Sequence, residues 1–292
     1  MILTHMRCAC IDIGTNTTRV LVADAERGRL TELRQERAFT RIGKGMTPGG
    51  AISRAKIEEV AQVVGAQVAL ARSLGAEAVS VVATAAIRDA ANRDEFCAAM
   101  GVEVVILDGE DEARLAFLGA TQTLGEELPG RIGVVDVGGG STEIAIGTLA
   151  GGVDRWTSLP VGSGLLADRY LRSDPPAMPE LDLLFAHATT ELEAVDLPAP
   201  DRAVAVGGSA ASLRTVVGSV LDREALQRAL LVLCGASTAA VAERFGLDAE
   251  RVRLLPAGIV ILHAAAQRLG QPLQIGRGGL REGVLLDLAR TL

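Results

Sequence analysis

Cys10-Ile11-Asp12-Ile13-Gly14-Thr15-Asn16-Thr17-Thr18-Arg19-Val20-Leu21-Val22 is matched by Val134-Val135-Asp136-Val137-Gly138-Gly139-Gly140-Ser141-Thr142-Glu143-Ile144-Ala145-Ile146, each pair of positions 124 residues apart. Each stretch is an apolar strand ending in Asp, a turn of Gly, Thr, Asn or Ser, and a second apolar strand. Such a turn offers backbone N–H groups, hydroxyls and close backbone approach, which is what a phosphate requires. The Asp at the strand end supplies a hard oxygen ligand for a divalent cation. The repeat implies two related domains, each with one phosphate-binding turn, and a phosphorylated ligand gripped in a cleft between them. The candidate phosphate ligands are Asp12, Gly14, Thr15, Asn16 and Thr17 in the first copy. In the second they are Gly138, Gly139, Gly140, Ser141 and Thr142.

The two copies differ in how far each stands alone. Gly14 and Asn16 also suit an ordinary tight hairpin. Three consecutive glycines between two strands cost backbone entropy that a plain hairpin does not need. Glu143 interrupts an apolar strand where a purely structural residue would be Val or Ile. Asp12 and Asp136 are therefore candidate metal ligands, and Glu143 reads as a functional residue.

The rest of the composition narrows the class. The chain has 292 residues, enough for two ordinary domains. Hydrophobic residues make up 49% and charged residues 22%, a globular balance. Aromatics are 2%, which argues against base stacking as a binding mode. The net charge of −7 argues against a non-specific nucleic-acid or anionic-membrane binder. Cys8, Cys10, Cys97 and Cys234 show no metal or disulfide spacing, which fits a reducing compartment. His5, His187 and His263 are scattered and lack metal-ligand spacing. The apolar runs near Ala229–Ala242 and Leu254–Ala266 are read as too short to cross a membrane. No stretch near the start has the pattern of a signal peptide, and Met6 offers an alternative start. A soluble cytoplasmic protein is expected.

Strand and helix signals alternate along the chain, which indicates an α/β fold with mixed sheets. Strands are expected at Cys8–Ile13, Arg19–Ala23, Leu30–Ala38, Val79–Ala83, Val102–Leu107, Trp156–Pro160 and Ala203–Val206, besides the second hairpin. Ile57, Val60, Val64, Val68 and Ala71 recur at helical spacing behind the cap candidate Ser53, and Gly75 ends that helix. Further helices are expected at Asn92–Met100, Glu110–Leu124, Gly162–Leu171, Glu180–Ala194, Glu224–Leu233, Ser237–Phe245, Gly258–Leu269 and Leu280–Arg290. Glu126–Gly130 is the candidate linker. It separates an N-terminal domain, 1–125, from a C-terminal one, 126–292, whose last helix, 280–290, is expected to pack back on the first.

Other segments carry chemistry with a plainer alternative beside it. Arg88 follows a strand end, where loop residues meet ligands in open α/β sheets, and an arginine there can clamp a phosphate. An exposed surface arginine is the alternative. Asp108-Gly109-Glu110-Asp111-Glu112 is acidic at a helix start, which the helix dipole alone would explain. Glu112 lies one turn in, and spacing does not set its role. Arg41 and Lys44 lie in the Gly-rich loop Phe39–Gly50. Lys44 is one of only two lysines beside 27 arginines. Gly207-Gly208-Ser209 joins a strand to a helix start, a phosphate-binding arrangement but a weak signal. The P-loop pattern is absent.

Taken together these segments resemble the exopolyphosphatase/guanosine pentaphosphate phosphohydrolase family, over nearly the whole chain. Its fold belongs with the actin-like ATPases and sugar kinases. Asp12 to Thr17 is similar to the family's first phosphate loop, and Asp136 to Glu143 to its second. Ala83 to Ala90 with Asn92-Arg93 looks like its arginine segment. Gly109-Glu110-Asp111-Glu112-Ala113-Arg114-Leu115 is similar to the acidic segment, with Asp111 where a Glu is usual. Ser158-Leu159-Pro160-Val161-Gly162 and Gly279-Leu280-Arg281-Glu282-Gly283 look like further family segments. The resemblance implies two actin-like, ribonuclease H-like domains of the short two-domain type, with the active site in the cleft between them. It implies Glu112 as catalytic acid/base and Arg88 as the group neutralising the transferring phosphoryl. It implies Mg²⁺ (or Mn²⁺) on Asp136 and Glu143 with Asp12 nearby, and inorganic polyphosphate as substrate. Arg41 and Lys44 would take distal phosphates. No nucleic acid and no membrane partner is implied, and a homodimer is left open.

Three rivals stay in view. Guanosine pentaphosphate is the second substrate of the same class. A kinase or ATPase of the same superfamily would use the Gly207-Gly208-Ser209 turn for a nucleotide. A non-catalytic binder of guanosine tetra- or pentaphosphate would not need Glu112, Asp136 and Glu143.

Overall fold

The computed structural model describes residues 5–47, 49–124 and 129–291. Of the linker expected at Glu126–Gly130, residues 126–128 lie outside the described residues. The chain divides into two compact units. Unit 1 is Met1–Thr123 with Gly278–Leu292, and unit 2 is Leu124–Arg277.

Unit 1 opens with β1 (Met6–Ile13), β2 (Thr18–Glu26) and β3 (Arg29–Ala38), an antiparallel meander. A 3-10 turn at Ile42–Gly45 leads to α1 (Arg54–Ser73), β4 (Ala78–Ala83) and the short α2 (Ala85–Arg88). Then come α3 (Arg93–Ala99), β5 (Val105–Ile106) and α4 (Gly109–Thr123). The sheet order is β3-β2-β1-β4-β5, with β1, β4 and β5 parallel. Helix α1 forms where its sequence period places it. The Ser53 hydroxyl accepts from the Lys56 N–H at 3.4 Å, and Ile57, Val60, Val64, Gln67 and Ala71 are buried on one stripe. Each fully buried Val or Ile stabilises by about 1.5–3 kcal/mol. The strand expected at Val102–Leu107 shrinks to two residues, because only Val105 and Ile106 pair with β4.

Unit 2 repeats the plan with β6 (Ile132–Val137), β7 (Thr142–Thr148) and β8 (Gly152–Leu159). α5 (Ser163–Tyr170), α6 (Met178–Glu193), β9 (Arg202–Val206) and α7 (Gly207–Val217) follow. β10 (Val220–Leu221), α8 (Arg223–Cys234), α9 (Thr238–Phe245), α10 (Ala249–Leu269) and β11 (Leu273–Ile275) complete it. The order is β10-β11-β9-β6-β7-β8. Reading inward from β3 or β8, the first four pairings of both sheets run antiparallel, antiparallel, parallel, parallel, and β10 adds an antiparallel edge to the second. The 124-residue offset persists beyond the hairpins. Asp12 pairs with Val82 across the parallel ladder, and Asp136 pairs with Val206.

Helix α10 starts nine residues before the expected Gly258. Pro256 lies inside it, although proline usually breaks a helix. Asp248 caps the true start, its carboxylate accepting from the Glu250 N–H at 2.8 Å. α10 is also long and apolar enough to cross a membrane by length and composition, contrary to the sequence expectation. Most of it is buried inside unit 2, where it packs on α5, α6, α7 and α8.

The chain ends in α11 (Leu280–Thr291), which lies on α4 and β1 within unit 1. The crossing of α4 and α11 needs glycine at two points. A Cβ on Gly119 would run into the Gly279 carbonyl oxygen, and one on Gly283 into the Leu115 carbonyl oxygen.

Candidate functional site

The two turns have the same internal bond. Gly14 N–H donates to the Thr17 carbonyl and Gly138 N–H to the Ser141 carbonyl, both at 3.0 Å. Their burial also matches position for position, with Ile11 to Thr18 reading as Val135 to Thr142 does. In each copy neighbouring chain captures the turn's carbonyls. In unit 1 the Arg41 N–H donates to Asn16 O at 3.0 Å and the Gly43 N–H to Thr15 O at 3.2 Å. In unit 2 the Ser163 N–H donates to Gly138 O, and the Gly164 and Leu165 N–H groups to Gly139 O, all at 2.9 Å.

A trans peptide points its C=O and the next N–H in opposite directions. With the carbonyls drawn into the fold, the N–H groups of Asn16, Thr17, Gly139 and Gly140 are turned the other way. This is the electrostatic basis of an anion cradle. Gly162 makes the second cradle possible, since a Cβ there would collide with Gly139 and Gly140. Arg41 pays a small conformational cost to close the first. Its φ of 45° is left-handed, worth about 1 kcal/mol for a non-glycine residue. In the first turn Asp12 Oδ1 and Asn16 Nδ2 are buried without a hydrogen-bond partner. Buried polar atoms of this kind are ones that a ligand or ion could satisfy. Burial pushes the Asp12 carboxyl up, against the opposing pull of Arg19 and Arg281.

The registers give each unit a row of three side chains on one sheet face. In unit 2 the row is Asp136, Glu143 and Ser158, on β6, β7 and β8. In unit 1 the same places hold Asp12, Arg19 and Arg37. Like charges directly opposite one another destabilise an antiparallel pair. The Asp136–Glu143 pair runs against that rule, as a cation site would. Ser158 Oγ donates to Glu143 Oε1 at 2.8 Å, and Glu143 is 4% exposed. Gly207, at φ 87°, starts α7 close to this row. A Cβ there would lie 2.5 Å from Asp136 Oδ1 and 2.7 Å from Val137 O. Among the described residues no group of three or more His, Cys, Asp or Glu is gathered to hold a metal ion. Two carboxylates completed by water and phosphate oxygens are nevertheless a set that suits Mg²⁺.

Arg88 closes α2, and Glu112 lies in the first turn of α4. Arg88 Nη1 donates to Glu112 Oε1 and to the Leu107 carbonyl, the latter at 3.0 Å. Glu112 is 5% exposed. Asp108 caps α4, its carboxylate accepting from the Asp111 N–H at 2.8 Å. The acidic cluster thus divides: Asp108 fixes the helix start, Glu110 is exposed, and Glu112 turns inward to Arg88.

The Ser209 side chain is fully buried, and a Cβ on Gly258 of α10 would lie 2.4 Å from its hydroxyl. At Gly207 and Gly208 the helix start offers backbone N–H groups, with no side-chain cap on Val206. Lys44 is exposed on the 3-10 turn, beside Arg41 in sequence. Sequence reasoning missed Ser158 as a partner of Glu143. No local signal marked it, since β8 also carries Asp154, Arg155 and Thr157, and only the strand register sets Ser158 opposite Glu143.

The comparisons with known proteins agree with one another. The model of the Ppx/GppA phosphatase family matches residues 21–292. Exopolyphosphatase 1 of Mycobacterium tuberculosis is 29% identical, over 96% of this chain and 88% of that protein. The guanosine-5'-triphosphate,3'-diphosphate pyrophosphatase of Aeromonas hydrophila is 28% identical, over 96% of this chain and 59% of that protein. The crystal structure of the Aquifex aeolicus Ppx/GppA family member is 30% identical, with a TM-score of 0.82 and 98% of both chains covered.

Proposed function

The chain belongs to the Ppx/GppA phosphatase family, and from that premise we propose that it is a metal-dependent exopolyphosphatase. It would release the terminal phosphate of inorganic polyphosphate by attack of water. The observation that carries this reading is the duplicated turn with its carbonyls turned inward and its amides outward. A cradle of backbone amides of that kind suits the oxygens of a phosphate.

The roles follow from chemistry. The N–H groups of Asn16–Thr17 and Gly139–Gly140 would bind phosphate oxygens. Glu112 would accept a proton from the attacking water, and Arg88 would hold its carboxylate in place and add positive charge for the phosphoryl oxygens. Phosphoryl transfer asks mainly for positioning and charge stabilisation, so this small set suffices. Asp136 and Glu143 are the residues that would hold Mg²⁺ or Mn²⁺. When bound, such an ion supplies charge neutralisation at the phosphate oxygens. Asp12, in unit 1, would be the third oxygen ligand available to the ion. Arg41 and Lys44 would contact phosphates further along the chain. The free cysteines fit the proposed cytoplasmic location.

Guanosine pentaphosphate hydrolysis is the second reading, supported by the name of the Aeromonas relative. Phosphate release from tripolyphosphate, long polyphosphate, guanosine pentaphosphate and ATP, each with Mg²⁺ and with Mn²⁺, tests both. Release from polyphosphate is expected. Turnover of ATP alone would select a kinase or ATPase, and binding with no release from any substrate would select a non-catalytic receptor.

A further inference from the structure

The row Asp136–Glu143–Ser158 contains one residue that no step above uses. Glu143 has three rotatable side-chain bonds and is almost fully buried, so an unrestrained carboxylate would sample several positions. Ser158 lies directly opposite it on β8, and the hydroxyl donates to Oε1 at 2.8 Å. That bond fixes the carboxylate at one oxygen without adding charge. A second observation ties the hydroxyl to the acid pair. In unit 1 the equivalent row places Arg19 opposite Asp12, and the third position is Arg37, whose guanidinium lies 4.7 Å from the centre of the Phe39 ring. The hydroxyl is therefore no general requirement of this three-strand scaffold. It occurs in the copy whose row carries two acids.

We propose that Ser158 is a positioning residue that holds Glu143 in the geometry for a divalent cation. The proposal rests on reading Glu143 as a cation ligand. The ordinary alternative is that Ser158 only satisfies a buried carboxylate. The two differ in what the hydroxyl is worth to the cation. Removing a hydrogen-bond partner behind a metal ligand typically weakens metal affinity about 10–100-fold.

The test is Mn²⁺ binding to the full chain without substrate, read by the electron paramagnetic resonance of free Mn²⁺, together with the Mg²⁺ concentration needed for half-maximal activity. Ser158→Ala should weaken Mn²⁺ binding about 10-fold or more and raise the Mg²⁺ requirement equally. The KM for polyphosphate at saturating Mg²⁺ should stay near the parent value. Ser158→Thr, which keeps the hydroxyl, should restore binding. Ser158→Cys, nearly isosteric but a poor donor, should behave as alanine does, which keeps the test in force if the alanine variant folds badly. Glu143→Gln is the control and should lose the site, with Ser158→Ala adding nothing on top. If Glu143→Gln loses Mn²⁺ while Ser158→Ala and Ser158→Cys bind as the parent does, the positioning role is wrong and the cation reading stands. If Glu143→Gln binds Mn²⁺ as the parent does, the cation reading fails and this proposal fails with it.

Discussion

The Arg88 guanidinium donates to the carboxylate of Glu112, 24 positions away in sequence, and through the same nitrogen to the Leu107 carbonyl. A residue at the end of one helix thereby fixes an acid in the first turn of another, and both are tied to the end of the β5 segment. The arrangement gives Glu112 a single orientation before any substrate arrives.

Glu112→Gln keeps the shape of the side chain and removes its capacity to take a proton. Its rate of phosphate release should fall about 10²–10⁴-fold, the usual contribution of a general base. Polyphosphate binding by calorimetry should remain near the parent value. A variant with near-normal turnover would move the role to another acid, with Glu110 and Asp111 next in line.

Arg88→Lys keeps the charge but cannot reproduce the planar guanidinium that serves Glu112 and Leu107 together. Turnover should drop at least about 10-fold, as expected when a charge-assisted contact is lost from the acid it orients. Recovery of full activity by the lysine variant would reduce Arg88 to a simple positive charge.

Asp136→Asn and Glu143→Gln each replace a charged oxygen ligand by a neutral one. Activity should fall and be partly restored by raising Mg²⁺ or Mn²⁺. A lower rate with an unchanged metal titration would count against cation binding at this pair.

Gly119→Ala and Gly283→Ala each place a methyl group against a backbone carbonyl at the α4–α11 crossing. Overpacking of this kind costs about 1–3 kcal/mol. The urea midpoint should fall in both variants. Because α4 carries Glu112, turnover should fall too, measured well below the midpoint. Unchanged stability in both would mean that the helices can separate freely.

The thiols should be sluggish in the native chain. Burial first, then Asp24 and Glu77, push Cys8 up to about 11, and burial pushes Cys234 to about 11. Burial and Asp12 push Cys10 well above the ordinary 9.0. The thiolate is the reactive form. At pH 8 a disulfide reagent should titrate Cys8, Cys10 and Cys234 rapidly only after denaturant is added. The native state holds these protons longer than the unfolded chain does. Stability should therefore decline as pH rises from about 9 through about 11. Immediate native labelling of Cys8 and Cys10 would contradict their burial.

Local chemistry made much of this molecule legible from its sequence. The two hairpins, their constant spacing, the Ser53 cap and the apolar stripe of α1 are set by residues near one another in the chain. Turn composition and periodicity are enough to specify them, and the same hairpins singled out Asp12, Asp136 and Glu143. Local signals also misled. The helix is expected only from Gly258, yet α10 starts at Ala249 and runs through Pro256, because it is buried on several sides and its packing outweighs one missing hydrogen bond.

The sequence by itself determined the elements, the duplication and the residue types that phosphate and cation chemistry require. Only the tertiary structure decided which of them meet. The Arg88–Glu112 contact, the Ser158–Glu143 bond and the capture of the turn carbonyls by Arg41, Gly43 and Ser163 all join residues far apart in the chain. Those contacts are fixed by strand register and helix packing, which depend on the whole core at once and leave no mark at any single position.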